Sequence, residues 1–252
     1  MTTLIVDADG LAYEAAAAVQ VGIAWDDDIY TLHADLNEAK EVFATKINKL
    51  IEATDAKSRV ILCYSCPTRR YFRHNILPTY KANRKGTPPP LVLKALKEWT
   101  CEEYETKTKS GLEADDVVGI LATHPKLIRG EKIVVSSDKD LEQIPGLHLN
   151  ANDPSQGVYQ VSPERAERAL WRQVLTGDQA DGYSGLPTIG PIRAERILDD
   201  EKLGDDYVSR VLAAYERAGF TKEDMAVQVN VARILQAQWY DFKRKEPILW
   251  KA

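Results

Sequence analysis

The chain has 252 residues, a formal net charge of −5, and hydrophobic and charged fractions of 44% and 28%. These values are ordinary for a soluble globular protein and suit one large domain or two unequal ones. No apolar run approaches the roughly 18 residues of a membrane-spanning helix, and the N-terminus lacks the basic and apolar regions of a signal peptide. Three cysteines, an odd number, fit a reducing compartment. We therefore expect neither a membrane protein nor a disulfide-stabilised secreted domain.

Three short apolar runs are predicted to be buried strands. They cover residues 4–6, 59–64 and 132–135. Their lack of alternation is typical of parallel strands that are covered on both faces. The helices predicted between and after them cover about 34–53, 91–100 and 112–122. Strands that alternate with helices predict an α/β fold with a central, mostly parallel sheet, and ligands bind outside the carboxyl ends of such strands.

After about residue 161 the chain shows helical signals and no strand signals. Ser162 and Pro163 are a typical N-cap and first-turn proline for the first of these helices. The predicted helices run from there to about 175, then over about 192–198, 205–218 and 221–239. We therefore expect an α/β domain over residues 1–161 and an all-helical region over residues 162–252.

Eight carboxylates fall into four groups along the chain, mostly at the edges of apolar segments. Like charges placed this close repel one another, and hard divalent cations with oxygen ligands remove that penalty. The pattern favours a Mg²⁺ or Mn²⁺ site for phosphoryl-transfer chemistry. The alternative is that these acids, among 38 in the chain, are simply solvated. The eight residues are Asp7, Glu113, Asp115, Asp116, Asp138, Asp140, Asp178 and Asp181.

One segment of this acidic chain is strongly basic. Residues 56–97 contain ten Lys or Arg and no Asp or Glu. Aromatic residues are interleaved with the basic ones, which suits a single-stranded nucleic-acid end because cations track phosphates while rings stack on bases. The alternative is a solvated basic loop. The candidate contacts are Arg70, Arg73, Tyr80, Lys81, Arg84 and Lys85.

A glycine-rich turn over residues 185–191 leads into a predicted helix. Backbone N–H groups at a helix N-terminus bind phosphate well. We therefore expect Gly190 to contact duplex DNA, with Arg193 and Arg196 on the following helix adding positive charge.

Together these motifs resemble the 5′→3′ structure-specific exonucleases and flap endonucleases, and within that family the phage-type enzymes. The match covers roughly residues 4–200, and its specificity lies in the order and spacing of the motifs. The matching motifs are Leu4-Ile5-Val6-Asp7, Tyr80-Lys81-x-Asn83-Arg84, Gly111-x-Glu113-Ala114-Asp115-Asp116, Ser137-Asp138-Lys139-Asp140, Gly177-Asp178-x-x-Asp181 and Gly190-Pro191-x-Arg193-Ala194.

The resemblance implies a PIN-like 5′-nuclease domain with an arch-like basic segment over about 66–100. It also implies a helix–three-turn–helix element over about 170–200 that grips duplex DNA. The implied activity is two-metal hydrolysis of DNA as a 5′→3′ exonuclease or flap endonuclease, with Mg²⁺ replaceable by Mn²⁺ and K⁺ in the turn near Gly185–Gly190. Expected partners are DNA with free 5′ ends, flaps or nicks, or an RNA–DNA hybrid. We expect a monomer without a membrane partner, in the cytoplasm of a bacterial or phage-infected cell.

The same resemblance assigns residue roles. Asp7, Glu113 and Asp115 resemble ligands of the first metal. The residues that resemble the second metal's ligands and their surroundings are Asp116, Asp138, Asp140, Asp178 and Asp181. Lys81 and Arg84 resemble the catalytic residues at the base of the arch that hold the scissile phosphate.

One position departs from the family pattern. Counting back from Tyr80-Lys81 places Cys66 where the family has another aspartate. A thiol is a poor ligand for Mg²⁺, and Mn²⁺ tolerates softer ligands better. We therefore expect slow turnover in Mg²⁺ and relatively better turnover in Mn²⁺. The Cys66→Asp substitution is expected to raise the Mg²⁺ rate by an order of magnitude or more.

Two other interpretations stay open. The run Asp7-Ala8-Asp9-Gly10 with a later Gly177-Asp178 resembles a haloacid-dehalogenase phosphatase, although that leaves the other acids and the basic segment unexplained. A DNA-structure-binding protein of the same fold with impaired catalysis would account for Cys66.

Overall fold

A computed structural model describes residues 2–26, 29–54, 59–84, 86 and 88–251. The strands in these residues are β1 (Thr2–Asp7), β2 (Val21–Asp26), β3 (Ile29–His33), β4 (Arg59–Cys63), β5 (Glu105–Lys107), β6 (Glu131–Ser136), β7 (Gly146–Asn150), β8 (Tyr159–Val161), β9 (Tyr240–Asp241) and β10 (Glu246–Pro247). Within the described chain, a six-stranded sheet has the order β5-β4-β1-β6-β7-β8. Its neighbours pair in parallel except β7 and β8, which are antiparallel. The predicted mostly parallel sheet is therefore confirmed.

Helices cover both faces of this sheet and make up most of the chain beyond it. They are α1 (Ala8–Ala18), α2 (Leu36–Glu52), α3 (Arg73–Ile76), α4 (Leu93–Glu103), α5 (Ala114–Thr123), α6 (Pro163–Thr176), α7 (Pro191–Asp199), α8 (Tyr207–Arg217) and α9 (Lys222–Ala232). Ser162 caps α6 by accepting the N–H of Arg165, and Thr221 and Asp224 form a capping box at α9. In the described part of the chain, no helix is long and apolar enough to span a membrane.

The central strand β1 shows why its sequence lacks alternation. Leu4 and Val6 pack with α1, α2 and α4 on one face of the sheet. Ile5 packs with α5 on the other face. All three side chains are fully buried, because helices cover the sheet on both sides. The residue that follows, Asp7, therefore lies at the edge of a rigid, dry core.

The region after β8 has its own apolar core and also contacts the first region. Trp171, Val174 and Tyr215 are buried among α6, α8 and α9. The last helix ends at Ala232 rather than near 239, because the chain then extends along α5. There the N–H of Leu235 donates to Asp116 Oδ1 at 3.0 Å. The expectation of no strand after 161 is wrong, since β9 and β10 form a short hairpin. The domain boundary at 161 stays a prediction.

Several elements escape the sequence patterns. Helix α1 is rich in alanine, so its polar and apolar faces contrast weakly. Strands β5, β7 and β8 have only three to five residues and lie at or beside the sheet edges. In the β2–β3 hairpin, Trp25 and Tyr30 are 66% and 65% exposed to solvent. The hairpin therefore lacks the alternation of buried and exposed residues that identifies a strand.

Candidate active site

The first carboxylate of the site lies at the carboxyl end of β1. Asp7 ends this strand and caps α1, and its Oδ1 accepts the N–H of Asp9 at 3.3 Å. Its Oδ2 accepts the hydroxyl of Ser136, the last residue of the parallel neighbour β6, at 3.3 Å. Beyond Ser136, Asp138 opens a short 3-10 turn and accepts the N–H of Asp140 at 2.9 Å. Parallel strands thus deliver two of the predicted acid groups to one edge of the sheet.

A third acid group reaches the same edge from the N-terminus of α5. Glu113 is the N-cap residue, and its backbone N–H donates to Asp116 Oδ2 at 3.2 Å in a capping box. Asp115 lies in the first turn, where the helix dipole favours negative charge. Glu113 is 5% exposed and Asp116 is fully buried, so these two carboxylates lie largely out of water.

The raised pKa values of three acids indicate that these three groups lie close enough to repel one another. Burial, then the charges of Asp9 and Asp138, raise the pKa of Asp7 from 3.8 to about 7. Burial, then the charge of Asp7, raise the pKa of Asp115 well above its ordinary range. Burial, then the charge of Asp138, raise the pKa of Asp140 to about 6.

The fourth group closes the cluster from the segment after α6. Asp178 and Asp181 also raise the pKa of Asp140. Asp178 Oδ1 accepts the N–H groups of Ala180 at 2.7 Å and of Asp181 at 3.3 Å. The turn at Gly177 requires a glycine. Its φ is +66°, and a Cβ there would lie 2.3 Å from the carbonyl carbon of Ser184. The two regions of the protein therefore both contribute carboxylates to one site.

This donor set fits hard divalent cations. The carboxylates are mostly partly buried, repel one another and offer oxygen ligands, which is the chemistry that Mg²⁺ and Mn²⁺ prefer. In the described residues, no three acidic, His or Cys side chains already converge on one coordination position. The ammonium of Lys81 lies among the acids, where it contacts Glu113 Oε1 and, at 3.3 Å, Asp181 Oδ2. The lysine supplies the positive charge that the carboxylates require.

Lys81 is held in this position by its own backbone. Its φ is +54°, a conformation that few residues other than glycine adopt. Its N–H donates to the carbonyl of Asp181 at 2.7 Å. Its side chain is only 17% exposed. Although burial alone disfavours the ammonium, Glu113 and Asp181 raise the pKa of Lys81 above its ordinary value, so it stays charged.

The structure corrects the expectation that Arg73 binds DNA. This residue is 3% exposed, and its guanidinium donates to Glu113 Oε2 at 2.8 Å and to the two oxygens of Asp116 at 2.6 and 2.8 Å. It also donates to the carbonyls of Val231 and Arg233, both at 2.9 Å. Arg73 is therefore a buried structural cation and is out of reach of a DNA phosphate.

Of the two places predicted for Asp116, as a ligand of the second metal or in the surroundings of its ligands, the contacts favour the second. Both of its oxygens accept from Arg73, and they also accept the N–H groups of Glu113 and Leu235. Because protein donors use both oxygens of a fully buried side chain, Asp116 supports Glu113 rather than facing a metal.

Tyr80 is likewise a core residue rather than a surface for base stacking. It is 3% exposed, and its hydroxyl lies 3.0 Å from both Glu113 Oε2 and Asp181 Oδ2. The tyrosine therefore links α5 to the segment after α6 beneath the carboxylates.

The remaining DNA-binding candidates are exposed or undescribed. Arg70, Arg193, Arg196 and Gly190 are exposed, and Gly190 caps α7. Arg193 Nη1 donates to the carbonyl of Thr188 at 3.1 Å. Arg84 contributes backbone to a 3-10 turn, but its side chain and the whole of Lys85 lie outside the described residues. Their roles stay predictions.

Cys66 does not face the carboxylates. Its buried thiol lies 3.2 Å from the hydroxyl of Thr68, and its N–H donates to the carbonyl of Leu112 at 2.9 Å. The neighbouring Ser65 faces the site instead: its N–H donates to Asp9 Oδ2 at 3.0 Å and its hydroxyl accepts the N–H of Ala114 at 3.0 Å. The expected gain from Cys66→Asp therefore loses its structural basis. A charge there would be buried beside Thr68.

Two residues of the site were missed by sequence reasoning. Asp9 accepts from Ser65 and also contacts the ammonium of Lys97 on α4. Asp9 carries a visible signal, since it lies two residues after Asp7 at a strand end. Lys97 has no such signal in the sequence, because a lysine on an amphipathic helix cannot be told from any other solvated charge.

The raised pKa values predict how the stability of the metal-free protein depends on pH. Between pH 3.8 and about 7, folded Asp7 keeps a proton that unfolded Asp7 releases, so its contribution to stability falls as pH rises through that window. Asp140 acts in the same direction up to about 6. In EDTA, we expect the Tm to fall as the pH is raised from about 5 to about 8, and Asp7→Asn to reduce that fall. An equal fall in Asp7→Asn and parent would contradict this.

Comparison with known proteins agrees with this arrangement. The family model described as "5'-3' exonuclease, N-terminal resolvase-like domain" matches residues 2–167, more than half of the chain. The chain belongs to this 5′-3′ exonuclease family. The matched residues include the acids at the ends of β1 and β6 and at the start of α5.

Individual relatives extend the likeness to nearly the whole chain. The exodeoxyribonuclease of enterobacteria phage T3 is 28% identical, over 98% of this chain and 92% of its own length. The exonuclease of Escherichia phage T7 is 27% identical, over 98% and 93%. Among solved structures, the flap endonuclease of bacteriophage T5, in a pseudo-enzyme–product complex with DNA and metal ions, has a TM-score of 0.65 at 16% identity, covering 95% of this chain and 90% of that one. This last likeness confirms the fold of the family.

Proposed function

We propose that this member of the 5′-3′ exonuclease family is a divalent-metal-dependent nuclease that removes nucleotides from 5′ ends and cuts 5′ flaps. The observation that carries the proposal is the convergence of Asp7, Asp115, Asp138 and Asp140 on one edge of the sheet, where burial and mutual repulsion raise the pKa values of three of them. Such an anionic centre needs cations, and phosphodiester hydrolysis is the reaction that two cations among carboxylates serve well.

The carboxylates divide into two sets by position. Asp7, Glu113 and Asp115, on β1 and α5, would hold one Mg²⁺. Asp138, Asp140, Asp178 and Asp181 would hold the second. Bound in this way, the cations supply Lewis-acid stabilisation of the phosphoryl oxygens and a nucleophilic water at neutral pH. Mn²⁺, with similar ligand preferences, would substitute.

The chain's own cations act on the substrate. Lys81 is charged, anchored through its backbone to Asp181, and its ammonium lies among the acids. A phosphate entering this centre would draw the ammonium away from Glu113, so that it neutralises charge as it develops on the phosphoryl oxygens. Arg84, three residues on, would act beside it.

Duplex DNA would bind at α7. The N-terminus of this helix is exposed at Gly190, and Arg193 and Arg196 lie on its exposed side. The backbone N–H groups there suit a phosphate, and a K⁺ in the turn over Gly185–Gly190 would strengthen that contact. We also propose that the protein binds an RNA–DNA hybrid, that it is a monomer and that it acts in the cytoplasm.

A cleavage series tests this function. The purified protein is given 5′-labelled flap, nicked, blunt and RNA–DNA substrates in Mg²⁺, Mn²⁺ or EDTA. We expect cleavage of flap and nicked DNA in either metal and none in EDTA. Binding of branched DNA without cleavage in both metals would instead support the DNA-structure-binding alternative. Hydrolysis of a free phosphomonoester in place of DNA would support the phosphatase.

Lys81→Ala and Arg193→Ala should separate chemistry from binding. Lys81→Ala should slow single-turnover cleavage roughly a hundredfold, because it removes a charge from the reacting phosphate. Arg193→Ala should leave that rate unchanged while weakening duplex binding and reducing its salt slope by about one. Single-turnover rates at saturating enzyme and binding at several salt concentrations measure the two effects. A parental rate in Lys81→Ala would show that its ammonium does not act on the phosphate.

A further inference from the structure

A carboxylate outside the eight predicted acids lies at the end of β1. Asp9 is in the first turn of α1, and its N–H donates to Asp7 Oδ1 at 3.3 Å. The two carboxylates are therefore neighbours at the end of β1, and the side chain of Asp9 is 29% exposed.

Contacts with other elements fix the position of this carboxylate. Oδ2 accepts the N–H of Ser65 at 3.0 Å, just beyond the end of β4. Asp7 is the register partner of Cys63 on that strand, so Ser65 lies slightly past the level of Asp7. The hydroxyl of Ser65 in turn accepts the N–H of Ala114, between Glu113 and Asp115. Asp9 is thus tied to the same strand ends and helix terminus that carry the other acids.

The second oxygen of Asp9 contacts a lysine, as Glu113 contacts Lys81. Oδ1 meets the ammonium of Lys97, which also lies 5.0 Å from the centre of the Tyr64 ring. An ion pair elsewhere on α1 offers a comparison. Glu14 pairs with Lys46 at 2.9 Å with similar exposure, and no described hydrogen bond or ion pair joins it to the site. Asp9 differs because its other oxygen is bonded to Ser65, whose hydroxyl is bonded in turn to the N-terminus of α5.

We propose that Asp9 supplies an oxygen to the divalent cation held by Asp7, and that Lys97 is the counter-ion that releases Asp9 when this cation binds. This rests on the proposed function, since it places Asp9 in the same metal centre. It also explains how the site is completed when residues 56–97 contain no acid: the carboxylate at the end of β4 comes from α1, held there by Ser65.

Metal binding without DNA tests the assignment. Binding of Mn²⁺ to the purified full chain is measured by the electron paramagnetic resonance of free Mn²⁺, for the parent, Asp9→Asn, Lys97→Met and Glu14→Gln. Asp9→Asn should weaken the tightest site about tenfold or more, by analogy with removing a supporting ligand. Lys97→Met should tighten it by removing a competing cation, and Glu14→Gln should match the parent.

Each contrary outcome has a separate meaning. If the parent binds Mn²⁺ but Asp9→Asn binds equally well, Asp9 is not a ligand, and the nuclease proposal stands. If Lys97→Met weakens binding as much as Asp9→Asn, the pair is a structural unit and the inference is overturned. If the parent binds no Mn²⁺, the proposed metal centre itself fails. Should Asp9→Asn not fold by circular dichroism, Lys97→Met decides alone: unchanged or weaker binding overturns the inference.

Discussion

Asp115→Asn is expected to reduce single-turnover cleavage about a thousandfold, because Lewis-acid stabilisation by a correctly held cation is worth several kcal/mol and each 1.36 kcal/mol is a factor of ten. Asp115 is the acid in the first turn of α5 whose pKa is raised by burial and by the charge of Asp7. Asp138→Asn should behave similarly from the other side of the cluster. Neither change removes a DNA-facing cation, so the Kd for flap DNA in EDTA should stay within a few-fold.

The matched control is Glu14→Gln, which changes a half-buried carboxylate on α1 that pairs only with Lys46 among the described residues. It should cleave at the parental rate. Unchanged cleavage by both Asp115→Asn and Asp138→Asn would end the metal-nuclease proposal. A loss of cleavage with an equal loss of DNA binding would mean that these acids stabilise the fold and do not take part in catalysis.

Arg73→Leu should cost about 3–5 kcal/mol of unfolding free energy, the usual effect of removing one partner from a buried ion pair. The substitution leaves Asp116 without its cation, and Glu113 with only Lys81, in a site that is almost closed to water. It also leaves the carbonyls of Val231 and Arg233 without a donor. Urea unfolding of the metal-free protein measures the change.

Two comparisons make this result specific. Arg59→Leu breaks an ion pair with Glu105 whose side chains are 39% and 31% exposed, and it should cost no more than about 1 kcal/mol. The double variant Arg73→Leu/Asp116→Leu should recover part of the stability, because it removes one of the stranded charges. If Arg73→Leu is no less stable than Arg59→Leu, the cation is not essential to this core.

The sequence predicts the centre of the molecule well, for physical reasons. Strands covered on both faces must be apolar throughout, so β1, β4 and β6 are recognisable from composition alone. Carboxylates that directly follow such strands lie together, because the carboxyl ends of parallel strands meet at one edge of the sheet. For this reason the sequence alone predicts that Asp7 and Asp138 belong to one site.

Pairings between distant segments could not be predicted in this way. Arg73 and Tyr80 look like DNA contacts because they belong to a basic, aromatic segment. Their partners Glu113 and Asp116 lie more than thirty residues further on, and nothing in the local pattern says that these charges meet. Cys66 fails differently: counting residues fixes a position along the chain, but not which of two neighbours turns its side chain toward the site.

The hydrogen bonds from Arg73 to the carbonyls of Val231 and Arg233 limit where the chain can be truncated. A fragment that stops at residue 161 would contain every strand of the main sheet, and by length alone it resembles a complete catalytic domain. It would lack the carbonyls that hold the guanidinium, the N–H of Leu235 that holds Asp116, and the segment that carries Asp178 and Asp181. The last forty residues therefore help to hold Arg73 and Asp116 in place beneath the carboxylates. Truncated versions should be designed to end after residue 250, where the carbonyl of Trp250 still receives the side chain of Asn230.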